Sequence, residues 1–207
     1  MALFFKQQSE DTILGVWKMS ESLEEIQQHP YAFPFVEQAK DFKSENRQKE
    51  WLSVRVLIHT LLDEKKEIEY DALGAPYLAD CSYNIGITHT VGFVAVILAK
   101  TSRVAIDIEL ISDRVHRLAH RVFHSDEFFY PTNDFLYYEL LIWCAKETLF
   151  KLLGLSEIDF KSHIRVCPFS IGDGEYFYVQ EFKTAISQKV KIQYRITDQY
   201  VLTYAKA

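Results

Sequence analysis

The chain has 207 residues, of which 48% are hydrophobic, 14% aromatic and 25% charged. That usage is ordinary for a folded protein and excludes disordered and fibrous classes. A formal charge of −6 excludes a generally basic nucleic-acid binder, and the longest apolar run, 91–99, is about half of what a membrane-spanning helix needs.

Residues 4–19 alternate weakly and predict one or two strands. Ser20-Glu-Ser-Leu-Glu-Glu follows, a capping signature with Ser20 or Ser22 as N-cap, and the helix it opens should stop near His29-Pro30. A longer helix is predicted over 44–63, where Trp51, Leu52, Val54, Leu57, Ile58, Leu61 and Leu62 recur at helical spacing. Arg47, Arg55 and His59 fall off that stripe or at its edge. Short extended pieces flank Gly74-Ala-Pro76. The alternation over 83–88 predicts a strand, His89-Thr90-Val91-Gly92 a turn, and 93–99 a buried strand.

Residues 104–110 predict another strand and 112–123 a helix. Residues 135–153 carry the longest helical pattern, with Gly154 placed to end it. Alternating β-formers return over 164–168, 176–182, 190–194 and 200–204. The class is α+β, and the element order suggests two α+β halves, 1–102 and 103–207. Cys81, Cys144 and Cys167 are too few and too scattered for a disulfide framework and lack the CxxC spacing of zinc sites. They read as buried free thiols in a reducing compartment. No basic region followed by an apolar core opens the chain, so a soluble, cytoplasmic protein is expected.

Three clusters could carry chemistry. On the strand 104–110, Asp107 and Glu109 share one face. They either meet solvent at a strand end or hold a hard divalent cation that relieves their repulsion. On the helix 135–153, Trp143, Glu147 and Lys151 are spaced by four and share a face. Glu147 and Lys151 form either an exposed ion pair or the polar seam of a cleft. Between two strands, Thr88 and His89 are either structural or donors to phosphate oxygens.

Taken in order, Gly74-Ala-Pro76, Gly86-Ile-Thr-His-Thr90, Val104-Ala-Ile-Asp-Ile-Glu109, Phe123-His-Ser-Asp-Glu127 and Trp143-Cys-Ala-Lys-Glu-Thr-Leu-Phe-Lys151 resemble the motifs of the 4′-phosphopantetheinyl transferase superfamily, in its surfactin-synthetase-activating type. The resemblance spans roughly residues 47–155. It implies two similar halves related by a pseudo-twofold, with coenzyme A in the cleft between them. It implies transfer of phosphopantetheine to a serine of an acyl or peptidyl carrier protein, with release of 3′,5′-ADP. Asp107, Glu109 and Glu147 match the three acids that hold Mg²⁺. Glu147, or alternatively Glu109, is the expected general base, and Lys151 matches a lysine on a coenzyme A phosphate. His89 matches the histidine at the 3′-phosphate, with Thr88 in place of the usual serine.

The family's lysine between Gly74 and Pro76 is Ala75 here, and Arg47, Lys49 and Arg55 are the local substitutes. Ala75 keeps open an impaired homologue that binds coenzyme A or a carrier without transfer. A metal-dependent phosphoesterase is a third reading. Beyond the motifs, Arg114, Arg117 and Arg121 form one stripe of the helix 112–123, and His116, His120 and His124 its neighbour. This is either a solvated face or a dock for an acidic carrier protein. Neither nucleic acid nor membrane is expected as a partner, and a monomer is.

Overall fold

The computed structural model describes residues 3–131, 135–154 and 156–207, and the chain divides into two units, Met1–Ser102 and Arg103–Ala207. Both combine helices with antiparallel sheet, an α+β architecture. Among the described residues, no helix is long and apolar enough to cross a membrane.

In the first unit, β1 (Leu3–Gln8) and β2 (Thr12–Lys18) lead into α1 (Leu23–Gln27). A capping box settles the helix start at Ser22: the Glu25 amide donates to Ser22 Oγ at 3.2 Å, and the Ser22 amide to Glu25 Oε2 at 2.7 Å. A single 3₁₀ turn (Phe33–Phe35) and the short α2 (Val36–Ala39) precede α3 (Glu45–Leu62). The hairpin β3 (Ile68–Tyr70) and β4 (Pro76–Leu78) follows, then β5 (Asn84–Thr90) and β6 (Phe93–Ala99). The four-stranded sheet runs β1-β2-β6-β5.

The apolar stripe of α3 explains the packing of this unit. Leu52, Val56, Leu57 and Ile58 are buried in one cluster with Trp17 of β2 and with Val94, Val96 and Leu98 of β6. Gly15 on β2 permits the approach. A Cβ built there would lie 2.9 Å from Leu57 Cδ1 and from Leu61 Cδ2. The predicted turn at 89–92 is shorter than expected. His89 pairs with Val94 and Thr90 with Phe93, so the strand absorbs two polar residues and only Val91 and Gly92 turn the chain.

The second unit begins with β7 (Val104–Leu110). Then come α4 (His116–Val122), a 3₁₀ turn (Ser125–Glu127), α5 (Phe135–Leu153), β8 (Ile164–Val166), β9 (Tyr176–Glu181), β10 (Lys189–Ile196) and β11 (Tyr200–Lys206). The sheet runs β7-β11-β10-β9-β8. Leu141, Ala145 and Leu149 of α5 share a buried cluster with Ala105, Val179, Ile192 and Val201 of the sheet. Gly154 closes α5 at φ +59°, a conformation that favours glycine. The predicted helix over 112–123 is shorter: it starts at His116, which leaves Arg114 on the preceding turn and His124 beyond the end. His124 caps the next turn, its Nδ1 accepting from the Asp126 amide at 3.2 Å. All three cysteines are free, but only Cys144 is fully buried. Cys81 is exposed, in a turn at φ +53° just after β4, where no core is available to cover it.

One buried ion pair anchors α5. Lys146 Nζ lies 2.7 Å from Glu127 Oε2, and both side chains are 0% exposed. Nζ also donates to the carbonyls of Phe160 at 2.7 Å and Ile164 at 2.8 Å. The Glu127 carboxylate accepts from the amides of His124 and Val166, each at 2.6 Å. Burial pulls the Lys146 ammonium below the ordinary lysine range, against the opposing field of Glu127. Lys146→Met strands a buried carboxylate and should destabilise the protein by about 3–5 kcal/mol in denaturant unfolding. Adding Glu127→Gln should recover part of that loss, because the uncompensated charge is then removed.

Candidate functional site

In the second unit, β7 and α5 bring the predicted acids and their partners together. Asp107 and Glu109 stand opposite Thr203 and Val201 of β11, on the face that α5 covers. Asp107 is buried, and its Oδ1 accepts from Lys151 Nζ at 2.6 Å. Glu109 Oε1 accepts from Trp143 Nε1 at 2.7 Å and from Arg114 Nη2 at 3.3 Å. The i,i+4 stripe of Trp143, Glu147 and Lys151 therefore reaches both acids of the strand.

The acids act on one another. Burial, reinforced by the charges of Asp107 and Glu109, pushes Glu147 up to about 7, while Lys151 opposes the rise. Burial, then Asp107, raises Glu109 as well. Burial alone would lower Lys151, yet Asp107 outweighs it and holds the ammonium above the ordinary lysine value. Three carboxylates, two of them raised by burial and by the charge of the third, are in donor type and charge a fit for a hard divalent cation. As the side chains stand, Lys151 takes Asp107, and Trp143 with Arg114 takes Glu109. Among the described residues, no group of three or more His, Cys, Asp or Glu is gathered as a ligand set. Cys144 lies beside Asp107 with its thiol pushed up by complete burial, so it is no nucleophile at neutral pH.

The first unit holds a separate pocket of about 170 Å³. Arg47, Glu50, Trp51 and Arg55 of α3 line it, with His89 of β5 and Tyr70 of β3. Gly74 and Pro76, the flanks of Ala75, also reach it. Arg55 is only 5% exposed and its guanidinium stacks on Trp51, 3.1 Å from the ring centre. Its Nη1 donates to the Trp51 carbonyl at 3.0 Å, whereas its buried Nε has no hydrogen-bond partner among the described residues. Burial lowers Arg55 to about 10, while Tyr70 and Glu67 pull the other way. Among the described residues Arg55 forms no direct ion pair, Glu67 acting on it only at a distance, and a buried guanidinium so placed invites an anion. Arg47 Nη1 is 3.0 Å from His89 Nε2 and 3.1 Å from Glu50 Oε2, which orients both side chains at the pocket wall.

The structure thus groups Arg47, Arg55 and His89 in one pocket, and Asp107, Glu109, Glu147 and Lys151 in one electrostatic cluster. Thr88 does not join His89. Neighbouring residues on β5 face opposite ways, so Thr88 is buried and is not part of the pocket wall. Two contributors escape sequence reasoning: Trp51, whose pattern reads as core, and Tyr70, whose hairpin carries no signal of its own. Trp143 is placed by spacing with Glu147 and Lys151, and Arg114 with Arg117 and Arg121, but neither spacing announces the contact with Glu109.

A family model for the 4′-phosphopantetheinyl transferase superfamily matches residues 103–205, the second unit. No curated protein matches the chain.

The pocket makes a prediction that separates function from stability. Arg55→Met removes a guanidinium that lacks an ionic partner, so the unfolding free energy should stay within about 1 kcal/mol of wild type or rise. Pyrophosphate should raise the melting temperature of the wild type, and the variant should lose that stabilisation.

Proposed function

We propose that the protein is a 4′-phosphopantetheinyl transferase acting from coenzyme A onto a carrier-protein serine. The superfamily match over residues 103–205 supports the class. The observation that carries the finer reading is the shared field of Asp107, Glu109, Glu147 and Lys151, one cluster drawn from β7 and α5. Each unit pairs a main antiparallel sheet, of four strands in the first and five in the second, with one long helix, which supports the reading of two similar halves.

In this reading, Arg55, Arg47 and His89 bind a phosphate of coenzyme A, and Arg55 supplies the cation that Ala75 does not. Asp107, Glu109 and Glu147 would hold Mg²⁺, which when bound neutralises the pyrophosphate and stabilises the leaving diphosphate oxygen. Lys151 adds a positive charge on a phosphate oxygen. The carrier serine Oγ attacks the phosphorus that bears the pantetheine arm, the bond to 3′,5′-ADP breaks, and the serine proton passes to Glu147. Proximity of the Glu147 carboxylate to the attacking hydroxyl, more than its basicity, would carry that proton transfer. Trp143 and Arg114 hold Glu109 in orientation through its Oε1.

The second reading, binding without transfer, draws on Ala75 and on the engagement of Asp107 and Glu109 with protein cations and donors. Mass spectrometry of an apo-carrier after incubation with protein, Mg²⁺ and coenzyme A decides between them. Transfer adds one phosphopantetheine group to the carrier. Asp107→Ala and Glu147→Ala should each lower kcat/KM about 10²–10⁴-fold. An unmodified carrier with wild-type protein, together with retained coenzyme A binding, would establish the second reading.

The basic residues on and near α4 bear on the partner. Arg114 is engaged with Glu109, but Arg117 is exposed and, among the described residues, its ion pair is with the equally exposed Asp113, at 3.5 Å. An exposed pair of this kind contributes little to stability and leaves the guanidinium free to meet an acidic carrier. Charge reversal at Arg117 and Arg121 should raise the carrier KM and flatten its salt dependence while coenzyme A binding is unchanged.

A further inference from the structure

Strand β10 separates its charges from its core. Lys189 and Lys191 are exposed, whereas Val190 and Ile192 are buried in the cluster that α5 closes. The register sets Lys189 opposite Gln180 and Lys191 opposite Tyr178 of β9, so both lysines share the outer face of the sheet with Tyr176 and Tyr178. Lys191 Nζ stands 3.7 Å from the Tyr176 ring centre and Lys189 Nζ 4.8 Å from that of Tyr178. Neither lysine forms an ion pair among the described residues. Helix α4 packs with α5 on the opposite side of the sheet, so this face is distinct from the surface of Arg117 and Arg121.

Acids are kept off the face. Across β8, β9 and β10 the one acidic residue is Glu181. It is 1% exposed, and its carboxylate accepts from the amides of Lys183, Thr184 and Gln188 at 2.9, 2.9 and 2.8 Å and from the Thr184 hydroxyl. Asp173 and Glu175 belong to the turn before β9, and Asp126 meets Arg165 of β8 at 3.4 Å. A chain of formal charge −6 thus presents a cationic strip without acids of its own. The bonds that bury Glu181 also fix the turn between β9 and β10. At the end of the strip that turn presents Ile186, 82% exposed, and Phe182, 46% exposed. A turn already held in place loses little further freedom when it meets a partner.

These groups describe the partner. Ammonium groups only donate, so the partner brings acceptors and negative charge. Exposed Ile186 and Phe182 take an apolar side chain. Single-stranded nucleic acid fits less well, because it stacks its bases on open ring faces. Tyr176 and Tyr178 each carry an ammonium and meet one another edge-on at 5.8 Å. An anionic membrane favours cations gathered around the apolar tip, but Lys183 at that tip is turned to the Glu157 carbonyl and the free lysines stand along the strand.

We propose that the outer face of β9 and β10 docks an acidic segment of another protein, with carboxylates over Lys189 and Lys191 and an apolar side chain against Ile186 and Phe182. From Lys189 to Lys191 the strand advances about 7 Å. Carboxylates four residues apart on a helix are separated by about 6 Å along its axis, so an acidic helix laid along β10 meets both lysines. The surface is independent of the transferase reading.

The probe is an alanine-rich helical peptide of about 20 residues with glutamate at every fourth position and leucines at one end. Its affinity and footprint are read from the backbone amide shifts of ¹⁵N-labelled protein. The peptide should shift residues of β9, β10 and the turn between them and bind with a Kd of about 1 mM or tighter. Its glutamine-for-glutamate twin should bind at least about tenfold more weakly, and the Lys189→Glu, Lys191→Glu double variant should lose as much. Ile186→Ser should weaken the acidic peptide about fivefold. All these side chains are exposed, so the melting temperature of each variant should stay within a few degrees of wild type. Oligothymidylate, and vesicles of phosphatidylserine and phosphatidylcholine in equal parts read by co-sedimentation, should bind more weakly than the peptide. No shift with the acidic peptide would overturn the proposal. So would equal binding of the glutamine twin, affinity that survives the double charge reversal, or tighter binding of the oligonucleotide or the vesicles.

Discussion

The pairing of Lys146 with Glu127 sets the rotation of α5, and the site of the second unit depends on that rotation. Lys146 cannot leave its position without breaking an ion pair and bonds to two or more backbone carbonyls. The next residue is therefore turned about 100° around the helix from a fixed reference. That residue is Glu147, and its i−4 and i+4 neighbours are Trp143 and Lys151. A buried pair of this kind need not add net stability, because the desolvation of both ions offsets their attraction. Its effect here is specificity: only one rotation of α5 satisfies it. The Thr148–Thr203 hydroxyl contact at 2.6 Å one residue further on acts in the same sense, against β11.

The two candidate sites handle charge in opposite ways. In the second unit, carboxylates outnumber cations within a partly buried cluster, and burial, reinforced by Asp107, raises Glu147. In the first, a guanidinium is buried over an indole ring without a carboxylate of its own. The first arrangement suits a divalent cation and the second an anion such as a phosphate. Both are unfavourable for folding by themselves, since each leaves charge incompletely compensated. Sites that carry such local conflict are where ligand chemistry is to be sought.

Much of the scaffold is legible in the sequence because it obeys periodic rules. The run ending at Gly154, the Ser22-x-x-Glu25 box and the alternation that puts Asp107 and Glu109 on one face all follow from helix and strand geometry. Legibility fails where tertiary pairing overrides local polarity. His89 and Thr90 look like a turn, yet β6 extends the ladder through both and thereby sends Thr88 away from His89. The helix after β7 starts only at His116, and Arg114, on the turn before it, meets Glu109, a contact that no spacing rule announces. The stack of Arg55 on Trp51 is equally silent, since an arginine and a tryptophan four apart on a helix can as easily face solvent.

The missing side chain at Gly15 ties the core of the first unit to its pocket. Two leucines of α3 close on β2 at that point, near the C-terminal end of the helix, while Arg47 lies ten residues back toward its start. At 1.5 Å per residue, that is an arm of about 15 Å. A methyl group at position 15 would wedge one end of a stiff rod, so that a displacement of a few tenths of an ångström at the leucines becomes a tilt at the guanidiniums. The spacing between helix and sheet is in effect the gauge to which the cations of the pocket wall are set.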